Sequence, residues 1–416
     1  MAYLYLESGY LKAPTKKFNN LNLYTNILLM KKVAYFLSHP IQYQTPLLQK
    51  LNIIENIDLE VIYFTNHTIG GLDRQFGINV TWDIPLLNGY HYVFLKNYSK
   101  NPAVSGKFWG LINWGVFNYL IKNKPDIIIM HGWGYFSNIL LLIIANILRV
   151  KVIMRAESPL KQEKNKGNLN SFIKKIIIKL CSKFVYIGKE NKAFYKSLGV
   201  KEHQLFYAPY CVDNERFIET SKNYDARLND IRTIYQIPSG NRIALFCGKF
   251  IDKKRPMDIL EAYILNPLSN LSFVFVGTGK LEDEMKLFVK DHNLNNIHFS
   301  GFINQTELYK YYMSADFFIL PSGYGETWGL VVNEAMIHSL PVIISDEVGC
   351  TADLVDENIN GFSYTCGDLH ELNKKMTYLS EIPKEQLKEM GRKSFEIIQR
   401  YSYNETLKGF EKAIFS

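Results

Sequence analysis

The strongest constraint on this chain is an alternation of short β-branched runs with longer segments of helical period, and the alternation occurs twice along its length. That pattern marks βαβ units around a parallel sheet. In the first half the predicted strands are Val33–Leu37, Leu59–Phe64, Ile127–Met130, Val152–Met154 and Phe184–Ile187. Between them the periodicity predicts helices over Pro46–Leu51, Phe108–Asn123, Asn138–Leu148, Ser171–Leu180 and Asn191–Leu198. The stretch Tyr207–Arg216 is turn-rich, and a second series follows it. Its strands are Ile243–Phe246, Phe273–Val276, Ile297–Phe299, Phe317–Leu320 and Val342–Ile344, with helices at Met257–Tyr263, Leu281–Lys290, Gln305–Met313 and Leu330–His338.

A chain of 416 residues is long enough for two such units, each with its own core. The expected fold class is therefore α/β, with two Rossmann-like domains of parallel sheet facing across a cleft. Residues 30–212 form the first domain and 213–385 the second. Residues 386–416 form closing helices, separated at Tyr401–Asn404, that pack back on the first domain. Residues 65–106 break the rhythm as a long irregular region, and loops of that length inside a compact domain are often functional. Residues 1–29 have no clear periodicity, so we expect them to lie outside the folded unit, with Met30 as its start.

Several classes of function are excluded early. The formal charge of +8 suits an anionic substrate or a membrane surface, but no like-charged block resembles a nucleic-acid-binding tail. The five cysteines are odd in number, scattered, and form no CxxC pair. They read as reduced thiols of a cytoplasmic protein, neither a disulfide framework nor a zinc site. The most apolar stretch, Phe136–Leu148, falls short of the roughly 20 residues a membrane span needs.

Four short stretches of the second half each follow a predicted strand, where ligands of open α/β sheets bind. Gly248-Lys249-Phe250-Ile251-Asp252-Lys253-Lys254 offers a glycine for close backbone approach and two lysines, Lys249 and Lys254, for a diphosphate. Gly277-Thr278-Gly279 alone reads as a tight turn, and Phe302 with Ile303 as a wall for a nucleobase. The fourth runs from Pro321 to Met336. Gly323, Gly325 and Gly329 make a flexible turn before a helix, so backbone amides from Gly325 through Thr327, Trp328 and Leu330 face an anion, helped by the helix dipole. Glu326 stands at the helix mouth and Glu334 two turns inside, a separation of roughly 10 Å at about 1.5 Å per residue. Two carboxylates so spaced can each accept hydroxyl hydrogen bonds from a sugar or ribose.

Taken together, GKFIDKK, FVGTGKLEDEM, the Glu326–Glu334 pair and DEVGCTADLVDENINGF resemble the donor-binding half of GT-B retaining glycosyltransferases of the family-4 type (glycosyl transferases group 1). The resemblance implies that Lys249 and Lys254 hold the diphosphate, Glu326 the sugar hydroxyls and Glu334 the ribose. The family usually carries arginine where Lys249 stands. The first half resembles the family more loosely, through SHPIQY from Ser38, FGINVTWDIPLLNGY from Phe76, His131-Gly132-Trp133 and Arg155-Ala156-Glu157-Ser158. His131 is expected beside the transferred sugar, and His39, Gln42, Arg155 and Glu157 on the acceptor side. The family's common glycine-rich first loop is absent.

The implied activity is transfer of a sugar from a nucleoside diphosphate donor to an acceptor hydroxyl with retention, in the synthesis of a cell-surface glycan. His131, Glu326, Lys249 and Lys254 are the expected catalytic set. No cofactor is expected beyond the nucleotide sugar itself, and the lack of an Asp-x-Asp triplet leads us to expect no metal. The rivals are a sugar-nucleotide 2-epimerase on the same architecture and a non-catalytic nucleotide-sugar-binding subunit. The acceptor is expected to be a glycan or a lipid-linked sugar. Residues 171–184 suggest a peripheral membrane contact: Ile173, Ile176, Ile177, Leu180 and Phe184 share one helical face and Lys174, Lys175, Lys179 and Lys183 another.

Overall fold

The computed structural model describes residues 30–66, 71–73, 76–104, 106–163, 168–222 and 231–416, with the side chains of residues 72 and 168–171 left aside. Residues 1–29, expected to lie outside the folded unit, are not among them.

The first domain carries strands β1 (Lys31–Leu37), β2 (Ile57–Tyr63), β3 (Gly71–Asp73), β4 (Ile78–Val80), β5 (His91–Phe94), β6 (Ile127–His131), β7 (Lys151–Arg155), β8 (Lys183–Tyr186) and β9 (Leu205–Tyr207). Seven of them form a wholly parallel sheet in the order β5-β2-β1-β6-β7-β8-β9, while β3 and β4 pair as a separate antiparallel hairpin. A strand covered on both faces must be apolar at consecutive positions. In β1, Ala34 and Phe36 enter one core, with helices Gly115–Asn123, Phe136–Ile147 and Asn168–Lys179, while Val33, Tyr35 and Leu37 enter the other.

The second domain has β10 (Arg242–Cys247), β11 (Leu271–Val276), β12 (Ile297–Gly301), β13 (Phe317–Leu320), β14 (Val342–Ser345) and β15 (Gly361–Tyr364), parallel throughout in the order β12-β11-β10-β13-β14-β15. One continuous core joins its two faces.

Several expectations need correction. The region 65–106 is not irregular throughout, because it contains the β3–β4 hairpin and β5. The predicted helix over Phe108–Asn123 is a single 3-10 turn at Phe108–Gly110 followed by a helix only from Gly115. The predicted helix from Gln305 begins at Tyr309. Strands β9 and β15 went unread, being short and set among turn residues. Of the closing helices, Lys384–Ile398 packs on helix Leu330–Ile337 of the second domain, and only Tyr403–Phe415 crosses to the first. There Phe410 packs on Tyr35 with ring centroids 5.9 Å apart.

Residues 171–184 do not present the expected faces either. Ile177, Ile178 and Cys181 are buried, whereas Phe172, Ile173 and Ile176 stand outside with Lys175 and Lys179, and Phe184 belongs to β8. Lys174 is drawn to Glu163 and Lys183 to the carbonyl of Ala413, so the lysines do not form one free stripe.

Candidate active site

In each sheet the strand order reverses at one point, between β1 and β6 in the first and between β10 and β13 in the second. Crevices open at the carboxyl ends of strands at such points. The two crevices face each other and enclose a cavity of about 590 Å³.

The second domain's wall is built from turns. Gly277 has φ +135°, and a Cβ there would lie 1.9 Å from the carbonyl oxygen of Gly248, so only glycine lets the β10 and β11 turns touch. The turn after β10 delivers Lys249, Lys253 and Lys254. Lys254 Nζ lies 2.6 Å and Lys253 Nζ 3.6 Å from Glu326 Oε2, although Oε2 has no aligned hydrogen-bond donor. Burial pushes the Glu326 carboxyl up, but the two lysines outweigh it and hold the group below the ordinary carboxylate value. Gly329, at φ +93°, caps helix Leu330–Ile337, whose first residues line the cavity. Because that helix begins at Leu330, Glu334 lies just over one turn inside and not two. Glu334 is buried and accepts a 2.8 Å hydrogen bond from the Tyr312 hydroxyl. Burial dominates there: despite Tyr312, Arg216 and Lys254, its pKa is pushed up to about 7.

The first domain's wall is a side-chain network. Glu157 Oε1 lies 2.9 Å from His131 Nε2, and the Thr327 hydroxyl donates to Glu157 Oε2 at 3.3 Å across the cleft. Burial opposes the Glu157 charge, yet the hydrogen bond and charge of His131, then Arg155, bring its carboxyl to about 2. His131 Nδ1 meets the Gln44 amide at 3.3 Å. Arg155 is buried between the rings of Tyr210 and Phe410, with centroids 5.2 and 5.3 Å from its Cζ. His39, Gln42 and Glu157 line the cavity, whereas His131 and Arg155 are not among the residues that line it; His131 is bonded to Glu157, and Arg155 donates to the Tyr35 hydroxyl at 3.5 Å.

Of the donor-side residues read from sequence, Gly248, Lys249, Lys254, Gly277, Phe302, Ile303, Glu326, Thr327, Trp328, Gly329, Leu330 and Glu334 line the cavity; Gly323 and Gly325 shape its turn from outside. The Trp328 ring has a second task. It is buried against Tyr210 and Tyr401, and a Cβ at Gly188 would sit 2.5 Å from it, so it packs the two domains together.

Sequence reasoning missed the β3–β4 hairpin. Asp73 pairs with Lys249 at 2.9 Å, and Phe76 lies under the same amine at 4.5 Å. Phe76 and Trp82 both pack on Phe302, at 5.1 and 6.1 Å, and Asp83 accepts from the Thr306 amide at 3.0 Å. The available signal was the length of region 65–106 and its aromatic residues.

Comparison with known proteins bears on this geometry at two levels. Residues 229–396 match the family glycosyl transferases group 1. Over 115 residues the chain is 32% identical to the amylovoran biosynthesis glycosyltransferase AmsK of Erwinia amylovora, a stretch covering 26% of this chain and 28% of that protein. The chain spans about a third of the curated relatives it matches. Solved structures align over nearly the whole length. A glycosyltransferase from Rickettsia africae superposes with TM-score 0.70 at 16% identity, covering 92% of this chain and 98% of that one. HepE from Anabaena, solved with UDP and glucose, gives TM-score 0.69 at 14% identity over 92% and 99%. The fold is GT-B.

Proposed function

We propose that this chain is a retaining glycosyltransferase that moves a sugar from a nucleoside diphosphate sugar to an acceptor hydroxyl. The observation that carries the reading is the meeting of Lys249, Lys254, Glu326, Glu334 and the amino end of helix Leu330–Ile337 in one cavity between two GT-B domains. The solved structure of HepE holds UDP and glucose in the same fold, which supports a nucleoside diphosphate sugar as donor.

In this reading the bond between the anomeric carbon and the phosphate oxygen breaks as the acceptor oxygen bonds to the same face of that carbon. The acceptor's proton passes to the leaving phosphate. Negative charge grows on the diphosphate, where Lys249, Lys254 and the helix amides neutralise it without a metal ion. Glu326, held ionised by the lysines, accepts sugar hydroxyls, and Glu334 accepts from the ribose. Glu157, fixed by His131, faces the acceptor. Closure between the sheets excludes water that would hydrolyse the donor. The matched relative from Erwinia is named a glycosyltransferase of amylovoran biosynthesis, which supports a role in the biosynthesis of a glycan. In our reading the acceptor is a cell-surface glycan, free or lipid-linked, and the protein acts from the cytoplasm at the membrane's inner face.

The test is incubation with a panel of UDP-, GDP- and ADP-sugars while nucleoside diphosphate release is followed. Slow hydrolysis of one donor, quickened by a glycan acceptor, is expected. Conversion of the donor to an epimer without acceptor, or tight binding with no turnover, would replace this reading with the epimerase or the binding subunit.

A further inference from the structure

The cleft absorbs little of the first domain's outer surface, and that surface is unusual in two independent ways. The first is charge. Residues 84–189 contain sixteen Lys and Arg against three Asp and Glu, while the rest of the chain has thirty-two against thirty-seven. The chain's positive excess therefore belongs to one part of one domain. The acids there are already engaged: Glu157 with His131, Glu163 with Lys174, and Asp126 with the Lys32 amide at 2.8 Å.

The second is apolar exposure. Trp109 is 61% exposed, Trp114 56%, Ile147 72% and Phe172 61%. Phe117 and Ile121, Ile143 and Ile147, and Phe172 and Ile176 are also exposed, and each pair is four residues apart on its own helix. Each pair thus marks one outward stripe, opposite the residues that enter the core. The three helices are neighbours, since Gly115–Asn123 packs on Phe136–Ile147 and Asn146 of the latter donates to the Leu180 carbonyl at 3.0 Å. Trp109 and Trp114 flank Phe136, at centroid distances of 5.2 and 5.4 Å, and so extend the stripe to the start of the middle helix. Soluble monomers rarely leave so much contiguous apolar surface uncovered without a partner for it.

We propose that this face docks on an anionic lipid bilayer. Tryptophans belong at the headgroup level, aliphatic side chains just below it, and Lys122, Arg149, Lys175 and Lys179 among the lipid phosphates. Among the described residues no helix is long and apolar enough to cross a membrane, so the contact is interfacial. A second copy of this chain is a poorer occupant, because pairing the faces would set like charges against each other. The face also reaches the cleft. Lys107, which lines the cavity, directly precedes Phe108 and Trp109, so a bilayer held here would present acceptors at the cavity's mouth. This deepens the membrane contact first read from residues 171–184 and moves its centre onto all three helices.

The experiment is vesicle flotation of the full chain with phosphatidylcholine alone and with about 30% phosphatidylglycerol, at low and high salt. Binding to the anionic vesicles, weakened about tenfold by high salt, is expected. The triple variant Trp109→Ser, Ile147→Ser, Phe172→Ser and the double variant Lys175→Glu, Lys179→Glu should each weaken it about tenfold or more. Because these side chains are exposed and outside the cavity, donor hydrolysis by both variants should match the parent. No flotation, equal binding to neutral vesicles, or a two-chain mass in light scattering that the triple variant halves would each overturn the proposal. Vesicle binding by a chain that hydrolyses no donor would instead break the transferase reading and leave this one standing.

Discussion

The two walls of the cleft both turn polar side chains toward one cavity, yet they are made in different ways. The second domain's wall comes from the turns of its strand-turn-helix units: Gly248 with Lys249, Lys253 and Lys254, then Gly277, then Gly329 with Glu326 and Thr327. The first domain's wall is a set of side chains from separate strand ends and loops, joined as Gln44–His131–Glu157, reaching Thr327 of the second domain and standing beside buried Arg155. Turn-built sites leave a local mark in sequence because each glycine answers to a backbone conformation. Network-built sites do not, since any polar residue is compatible with its own neighbours along the chain.

The contrast is easiest to break at the diphosphate. Lys254→Ala should lower kcat by about 10²- to 10³-fold, as removal of one preorganised charge does elsewhere, measured as transfer at saturating donor. A loss below tenfold would mean that the turn-built wall is not the electrostatic one. Glu157→Gln keeps the size of the side chain but removes the charge facing His131. Transfer should fall on the order of tenfold to a hundredfold while nucleoside diphosphate affinity, read by calorimetry, stays unchanged. If nucleotide affinity falls as well, the two walls do not divide donor from acceptor.

A smaller effect sits where the walls meet. Asp73 holds Lys249 from across the cleft, so Asp73→Asn should free the amine for phosphate and tighten nucleoside diphosphate binding several-fold, on the scale of a partly exposed ion pair. Weaker binding would show that the hairpin's role is closure. The smallest expected effect concerns Glu334. Its carboxyl binds a proton more tightly in the folded chain than in the unfolded one, so its contribution to stability is full below the ordinary value of 4.5 and is lost as pH rises through about 7. Glu334→Gln should raise the melting temperature at pH 8 by a few degrees and leave it unchanged near pH 4, on the order of 1 kcal/mol. Donor KM in the parent should rise as pH falls below about 7, and the variant should lack that slope.

The sequence makes the architecture and the turn-built wall readable and leaves the rest obscure, for physical reasons. Buried parallel strands such as β10 and β13 are continuous apolar runs, hard to mistake. By contrast β9 and β15 span three and four residues beside turns, and only sheet partners reveal them. His131 was read from its place at a strand end, but its bond to Glu157, a residue of another strand end that lines the cavity, has no local mark in the sequence. Asp73 and Phe76 could not be paired with Lys249 from sequence, because 176 residues separate the ion pair.

The closing helix has a consequence for synthesis. Tyr403, Phe410, Ala413 and Ile414 complete the core on one face of the first sheet, whose first strand begins at Lys31. While the ribosome makes the chain from its amino end, the part of that face not covered by Leu47, Leu48, Leu51 and Tyr90 stays bare until residue 414 has emerged, after Ile398 and Tyr401 have completed the second domain's core. The first domain to appear is therefore the last to finish, and a chaperone that shields the exposed sheet face would act throughout the making of the other half.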